Sequence, residues 1–263
     1  MSARSDEMEK IKIRDNLFQY LFKEDDNGEP NSLFVFIDDA EKKALILDTA
    51  FERLAEIVKK DLEEQGIQPQ IVVLSHYHPD HAAGTPVFKE CRIYANQFYE
   101  DNYDNCQRWN PDLTFIPPTD LIRDGDSLNF GSFQLKFFHA PGHSQCSVLT
   151  LINEDVLYVG DLLMFSADDT LSLPYISMGG SFKEHIQSLE KIKTMDYNVL
   201  VCAHGHFLTD KSKITETIDD WLYYLNRVLD SMGTLPLAVC LKNDISRYAH
   251  TGYHDNNLMY LMV

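Results

Sequence analysis

Short apolar runs of strand type alternate along the chain with segments whose apolar residues recur at helical spacing. Residues 1–10 are polar and read as frayed. Residues 11–22 and 32–38 have strand-type apolar content, with a polar turn or loop at 23–31 between them. Residues 43–48 form another strand, ending on Asp48. Residues 51–65 place Leu54, Ile57, Val58 and Leu62 at helical spacing. The β-branched run 70–74 is a buried strand, and 92–95 a short one. Residues 96–109 read as helix plus loop, and 119–126 as an edge strand closing on the turn Asp124-Gly125-Asp126. Two hairpins follow, one around Gly131-Ser132 and one around Asn153-Glu154-Asp155. The pattern then predicts a helix over 182–195, a buried strand over 198–203, and a helix over 213–229 with Ile214, Ile218, Leu222 and Leu225 on one face. Two sheets covered by outer helices, a layered α/β sandwich, accommodate this order.

Composition narrows the reading. With 263 residues, 44% of them hydrophobic, the chain suits one large domain. We read residues 11–210 as the catalytic domain and 211–263 as a helix and tail that complete or cover it. A formal charge of −18 disfavours nucleic acid and anionic membranes as partners. Five cysteines without a Cys-x-x-Cys pair argue against a disulfide framework and for a reducing compartment. The N-terminal residues are polar and no apolar run is long enough to span a bilayer, so the expected location is the cytoplasm.

The chemistry concentrates in Ser75-His76-Tyr77-His78-Pro79-Asp80-His81, where the buried strand 70–74 runs out. A lone histidine is usually a surface or hydrogen-bonded core residue. Three imidazoles and a carboxylate within six positions are costly to desolvate unless they bind something, and a divalent transition metal prefers these donors. In extended chain His76, His78 and Asp80 share a side, and a turn at Pro79 redirects His81. One segment can then serve two neighbouring metals. Four further polar residues sit at strand ends: Asp48, His143 in Pro141-Gly142-His143, Asp161 after Gly160, and His204 before Gly205. Tyr77, between two of the histidines, is expected to line the same cleft. So is the segment 165–181, with Gly179-Gly180 allowing close approach. The tail residues Tyr248, His250, Tyr253 and His254 are expected to fold over the cleft or to pack against a second subunit, which leaves a homodimer open.

The ordered set Asp48, His76-x-His78-x-Asp80-His81, Pro-Gly-His143, Gly-Asp161 and His204-Gly resembles the motifs of the metallo-β-lactamase superfamily over roughly residues 12–208. The resemblance implies a four-layered αββα fold with the site between the two sheet edges. It implies that His76, His78 and His143 hold one metal, that Asp80, His81 and His204 hold a second, and that Asp161 bridges them. Asp48 would orient a ligand histidine, His206 is the alternative to His204, and His139 is a non-ligand. The implied cofactors are two divalent ions, zinc first, with iron or manganese as alternatives. The implied reaction is hydrolysis of a small ester, lactone, thioester or phosphodiester by a metal-bridging hydroxide, with Asp80 as the catalytic residue that orients the water or takes its proton. Residues 162–169 differ from the Gly-Cys-Gly-Arg-like stretch of hydroxyacylglutathione hydrolases and persulfide dioxygenases, which argues against both as specific names. Two other readings stand beside this one. A mononuclear iron dioxygenase of persulfide type would need His76, His78 and a third ligand such as Asp161. A non-catalytic metal-binding module would keep the donors without turnover.

Overall fold

A computed structural model describes residues 7–25, 29–177 and 179–261. Strands β1 (Met8–Arg14), β2 (Leu17–Phe22), β3 (Asn31–Asp38) and β4 (Lys43–Leu47) pair antiparallel in sequence order. Strands β5 (Gln68–Val73), β6 (Arg92–Asn96) and β7 (Asp120–Ile122) extend the same seven-stranded sheet in parallel. Connection length sets this switch. Short links join the first four strands, whereas helix α1 (Glu52–Glu64) crosses from β4 to β5, and α2 (Pro79–Ala82) and α3 (Glu100–Trp109) lie in the next two crossovers. The second sheet has five strands. Its strands β8 (Ser127–Phe130), β9 (Phe133–His139), β10 (Val148–Ile152) and β11 (Val156–Tyr158) form a meander. Strand β13 (Val199–Val201) returns parallel to β11 after β12 (Leu171–Ser172) and helix α4 (Phe182–Thr194). The chain closes with α5 (Lys211–Asp230), α6 (Leu237–Cys240), β14 (Tyr248–Ala249) and α7 (Tyr253–Leu258).

Alternation along the strands builds the layers. On β3, Phe34 and Phe36 face the second sheet, where Phe34 meets Tyr158 and Phe36 meets Phe133 with ring centroids 5.0 and 5.1 Å apart. Leu33, Val35 and Ile37 point the other way and pack with Leu54, Val58 and Leu62 of α1. The outer face of the second sheet, including Leu149, Leu151 and Leu157, is covered by α4 and α5 through Leu189, Ile192, Ile218, Trp221 and Leu225. The result is helix, sheet, sheet, helix, the αββα order expected from the sequence. Fully burying one such aliphatic or aromatic side chain contributes roughly 1.5–3 kcal/mol, so the inter-sheet layer is a principal source of stability. The Ser181 side chain caps α4 by accepting from the Glu184 amide, and Asp210 caps α5 by accepting from the amides of Ser212 and Lys213. All five cysteines are free and buried. No helix among the described residues is long and apolar enough to cross a membrane.

Two boundaries differ from expectation. Residues 11–22, read as one strand-type stretch, are divided by a turn at Asp15-Asn16 into β1 and β2, with Asn16 at φ +59°. Residues 8–10, read as frayed, belong to β1 at the sheet edge. An edge strand needs only backbone pairing with β2, so its polar side chains gave no apolar signal.

The topology gathers the polar strand ends. Strands β4 and β5 are parallel, so Asp48 and the 75–81 segment leave one edge of the first sheet together. Strands β11 and β13 are parallel, so Asp161 and His204 leave one edge of the second. The β9–β10 connection carrying His143 emerges there too, because β10 runs antiparallel to β11. A bond from the Val148 amide to the Ser75 carbonyl at 2.9 Å joins the two edges.

Candidate metal centre

The histidine segment turns where proline makes it turn. His78 is extended (φ −110°, ψ 158°), and Pro79 starts the one-turn helix α2. His76 and His78 therefore alternate on extended chain, while Asp80 and His81 lie on the helix.

Two groups of donors result. His76, His78, His143 and Asp161 form one, and Asp80, His81, Asp161 and His204 form the other. Within each group one donor atom per residue lies within 4.8 Å of all the others. In the first, His78 Nδ1 is 2.9 Å from both His76 Nε2 and His143 Nε2. Asp161 Oδ2 is 3.8 Å from His76 Nε2 and 3.5 Å from His143 Nε2. In the second, Asp161 Oδ1 is 3.2 Å from His81 Nε2 and 3.4 Å from His204 Nε2. Asp80 Oδ2 is 3.6 and 3.4 Å from the same two nitrogens. Asp161 thus gives one oxygen to each group.

The outward nitrogen of every histidine is engaged. His76 Nδ1 donates to Ser75 Oγ at 3.0 Å, and Ser75 Oγ donates to Asp48. His81 Nδ1 donates to Asp48 at 2.8 Å. His143 Nδ1 donates to the Tyr175 carbonyl at 2.7 Å, and His204 Nδ1 to the Pro30 carbonyl at 2.5 Å. His78 is turned the other way round, giving Nε2 to Ser177 Oγ at 2.8 Å, while Ser177 Oγ donates to the His143 carbonyl. These tautomers follow from the network of partners. With one ring nitrogen engaged outward, each imidazole points its other nitrogen inward.

These residues fit a pair of divalent cations. Tetrahedral ligands at zinc-like distances stand about 3.4 Å apart, in the middle of the spacings above. His81 Nε2 and Asp161 Oδ1 are buried and make no hydrogen bond of acceptable geometry. Burial, reinforced by neighbouring imidazoles, holds His76 well below the ordinary imidazole range. Burial likewise brings His78 down to about 4 and His143 to about 3, so all three are neutral, as ligands must be. Burial alone would also lower His81 and His204, but the carboxylates of Asp161 and Asp80 override it and raise both. Burial opposes ionisation of Asp80 and Asp161, yet the facing imidazoles, His81 first, keep both carboxyls low. The second group thus pairs two ionised carboxylates with two imidazoles whose protons a divalent cation would displace.

Not every residue expected at the site is there. Tyr77 is fully buried away from the cleft, donates to the Ile116 carbonyl at 2.7 Å, and packs against Tyr99 and Tyr103. Alternation explains it: a residue between His76 and His78 faces the opposite side. His206 pairs with Asp169 outside both groups, and His139 bonds the Gln145 carbonyl. The 165–181 segment does line the cleft, through Phe165, Ser172, Tyr175 and Ser177, and so do His250 and Tyr253 of the tail. Met178 lies outside the described residues. Tyr248 and His254 are buried instead against α5, bonding Asp220 and Tyr224. The orienting roles of Ser75 and Ser177, and the parts played by Tyr158 and the two carbonyls, escaped the sequence reading. Backbone acceptors have no residue signature, but a serine directly before a ligand histidine is a usable sign.

Gly142 explains the Pro-Gly-His motif. It has φ +142°, and a Cβ there would stand 2.2 Å from the His185 Cα. Backbone strain and overlap together predict a destabilisation on the order of 3 kcal/mol for Gly142→Ala, read as a lowered melting temperature. An unchanged melting temperature would remove this account of the motif.

Comparison with known proteins now decides the family. Residues 27–204 match the family model of the metallo-beta-lactamase superfamily. The chain belongs to the metallo-beta-lactamase superfamily. Its curated relatives include hydroxyacylglutathione hydrolases of Enterobacter sp. (22% identical over 85% of this chain and 84% of that one) and Pelagibacter ubique (27% identical over 87% and 92%). A protein of Aspergillus versicolor, named provisionally as a transcription factor, is 30% identical over 60% of this chain, which spans only 55% of its length. A metallo-beta-lactamase from Pontibacter korlensis superposes with a TM-score of 0.66 over 82% of this chain and 99% of that one, at 15% identity, a likeness of fold. Family and relatives together make the chain a hydrolase of the metallo-β-lactamase fold.

Proposed function

We propose that this superfamily hydrolase uses two divalent metal ions, zinc first among them, to cleave a small carboxylic thioester, ester or lactone. The observation that carries the reading is Asp161, whose two oxygens each face a separate group of buried imidazoles. His76, His78, His143 and Asp161 would hold one ion, and Asp80, His81, His204 and Asp161 the other. Such a pair lowers the pKa of a bound water and polarises a carbonyl. The thioester stands first because the relatives named above act on hydroxyacylglutathione, itself a thioester.

The residues have separable tasks. Asp80 lines the cleft and keeps an ionised carboxylate beside His81 and His204, so it can orient a water and take its proton. Asp48 fixes the second group by accepting from His81 Nδ1, Ser75 and Tyr158 at once. Asp48→Asn removes that charge and is expected to weaken metal affinity by about 10–100-fold while the fold persists. Titration of the metal-free variant against a chelator of known affinity measures this, and an unchanged affinity would remove Asp48 from the account. Release of thiol from simple thioesters by the metal-loaded protein, abolished by a chelator and restored by zinc, tests the reading as a whole. Chelator-insensitive turnover would defeat it.

A further inference from the structure

The cleft extends beyond the donor groups to a volume of about 650 Å³. Beyond the donors its wall carries the rings of Tyr175, Tyr253, Tyr260, Phe165 and Trp109, with Met164. Asp25, Glu29, Ser172 and His250 stand beside them. The Tyr175 and Tyr253 rings lie 4.9 Å apart, tilted by 58°. Tyr175 also reaches the donors, since its carbonyl holds His143 and its ring lies 6.0 Å from that imidazole.

The tail is fastened in place, so the wall is preformed. His250 stacks on Tyr253 at 5.1 Å, bonds Ser172 Oγ through Nδ1 at 2.9 Å, and pairs with Glu29 through Nε2 at 2.9 Å. Asn257 donates to the Pro174 carbonyl at 2.7 Å and accepts from the Ile176 amide at 2.8 Å. Strands β12 and β14 pair beside them.

Beyond the donors, the lining offers little basic charge. Apart from the donors and His250, its ionisable groups other than tyrosine are the carboxyls Asp25 and Glu29, and no Lys or Arg stands among the described lining residues. An anionic group set against this wall, away from the metal-binding donors, would lose water and meet no Lys or Arg among the described lining residues. A flat apolar ring would find tyrosine faces and edges at stacking distance.

We propose that the substrate presents an uncharged aromatic group to this wall, and that anionic conjugates such as glutathione thioesters are poor substrates. The proposal rests on the hydrolase reading above and specifies its substrate class. The test uses the full, metal-loaded chain with four thioesters: the 2-naphthoyl, octanoyl and acetyl thioesters of N-acetylcysteamine, and S-lactoylglutathione. The expected result is a kcat/KM for the naphthoyl thioester at least about tenfold above each of the others. Tyr253→Ala is expected to reduce the naphthoyl-to-acetyl ratio about tenfold. It is also expected to weaken binding of 2-acetylnaphthalene, a ketone with no scissile bond, about tenfold in a fluorescence titration. Trp109 is 67% exposed, so Trp109→Ala spares the fold, and it is expected to reduce the same ratio about threefold. Preference for S-lactoylglutathione or the octanoyl thioester, or a ratio unmoved in both variants, would overturn this inference alone. Failure to cleave any of the four would defeat the thioester reading and this inference with it.

Discussion

Asp161→Asn is expected to leave the protein folded but unable to retain either metal ion tightly, with kcat/KM lowered by more than about 10³-fold. The size follows from position. Asp161 is the one residue common to both donor groups, with Oδ2 toward His76 and His143 and Oδ1 toward His81 and His204. An amide keeps the volume but carries no charge, and its nitrogen must turn toward one of the groups. Asparagine is the better probe than alanine, because truncation would leave the imidazoles facing a hole at the centre of the fold. Circular dichroism should show an unchanged fold, while elemental analysis shows both ions depleted. A variant that kept full metal content and activity within tenfold of the parent would exclude the shared role.

Asp80→Asn is expected to act on one side only. Asp80 belongs to the second group, lines the cleft, and faces His81 and His204 at 3.6 and 3.4 Å. Loss of its negative charge should lower kcat by about 10²–10⁴-fold, the usual contribution of a positioned base. It should also deplete the ion of the second group while sparing the first, whose donors do not include it. The two variants therefore separate bridging from one-sided ligation. Activity near that of the parent would end the role given to Asp80.

The order of elements was legible because its signals are local. Leu33 to Ile37 is an unbroken aromatic and branched apolar run between Ser32 and Asp38, the composition of a short strand covered on both faces. The donors were legible because imidazole and carboxylate placed just after buried strands have few inexpensive alternatives to a cation. What the sequence concealed depends on distant contacts. The carbonyls of Pro30 and Tyr175 can be any residue's, and Tyr158 is 110 positions from the Asp48 it serves. Tyr77 shows the opposite error. Its neighbours suggested the cleft, although the alternation that places His76 and His78 together turns Tyr77 into the apolar layer between the first sheet and its helices. The tail was ambiguous because Tyr248, His250, Tyr253 and His254 divide between two destinations, α5 and the cleft. Only the β12–β14 pairing and the Asn257 bonds decide which goes where.

The number of metal ions per chain bears on all of this at once. Protein purified without added metal, and again after reconstitution with zinc, should be assayed by elemental analysis against an independent chain concentration. The two donor groups predict about two divalent ions per chain, falling well below one in Asp161→Asn and to about one in Asp80→Asn. A chain that binds no metal after reconstitution, or binds a single ion that Asp161→Asn leaves in place, would contradict the two-ion centre.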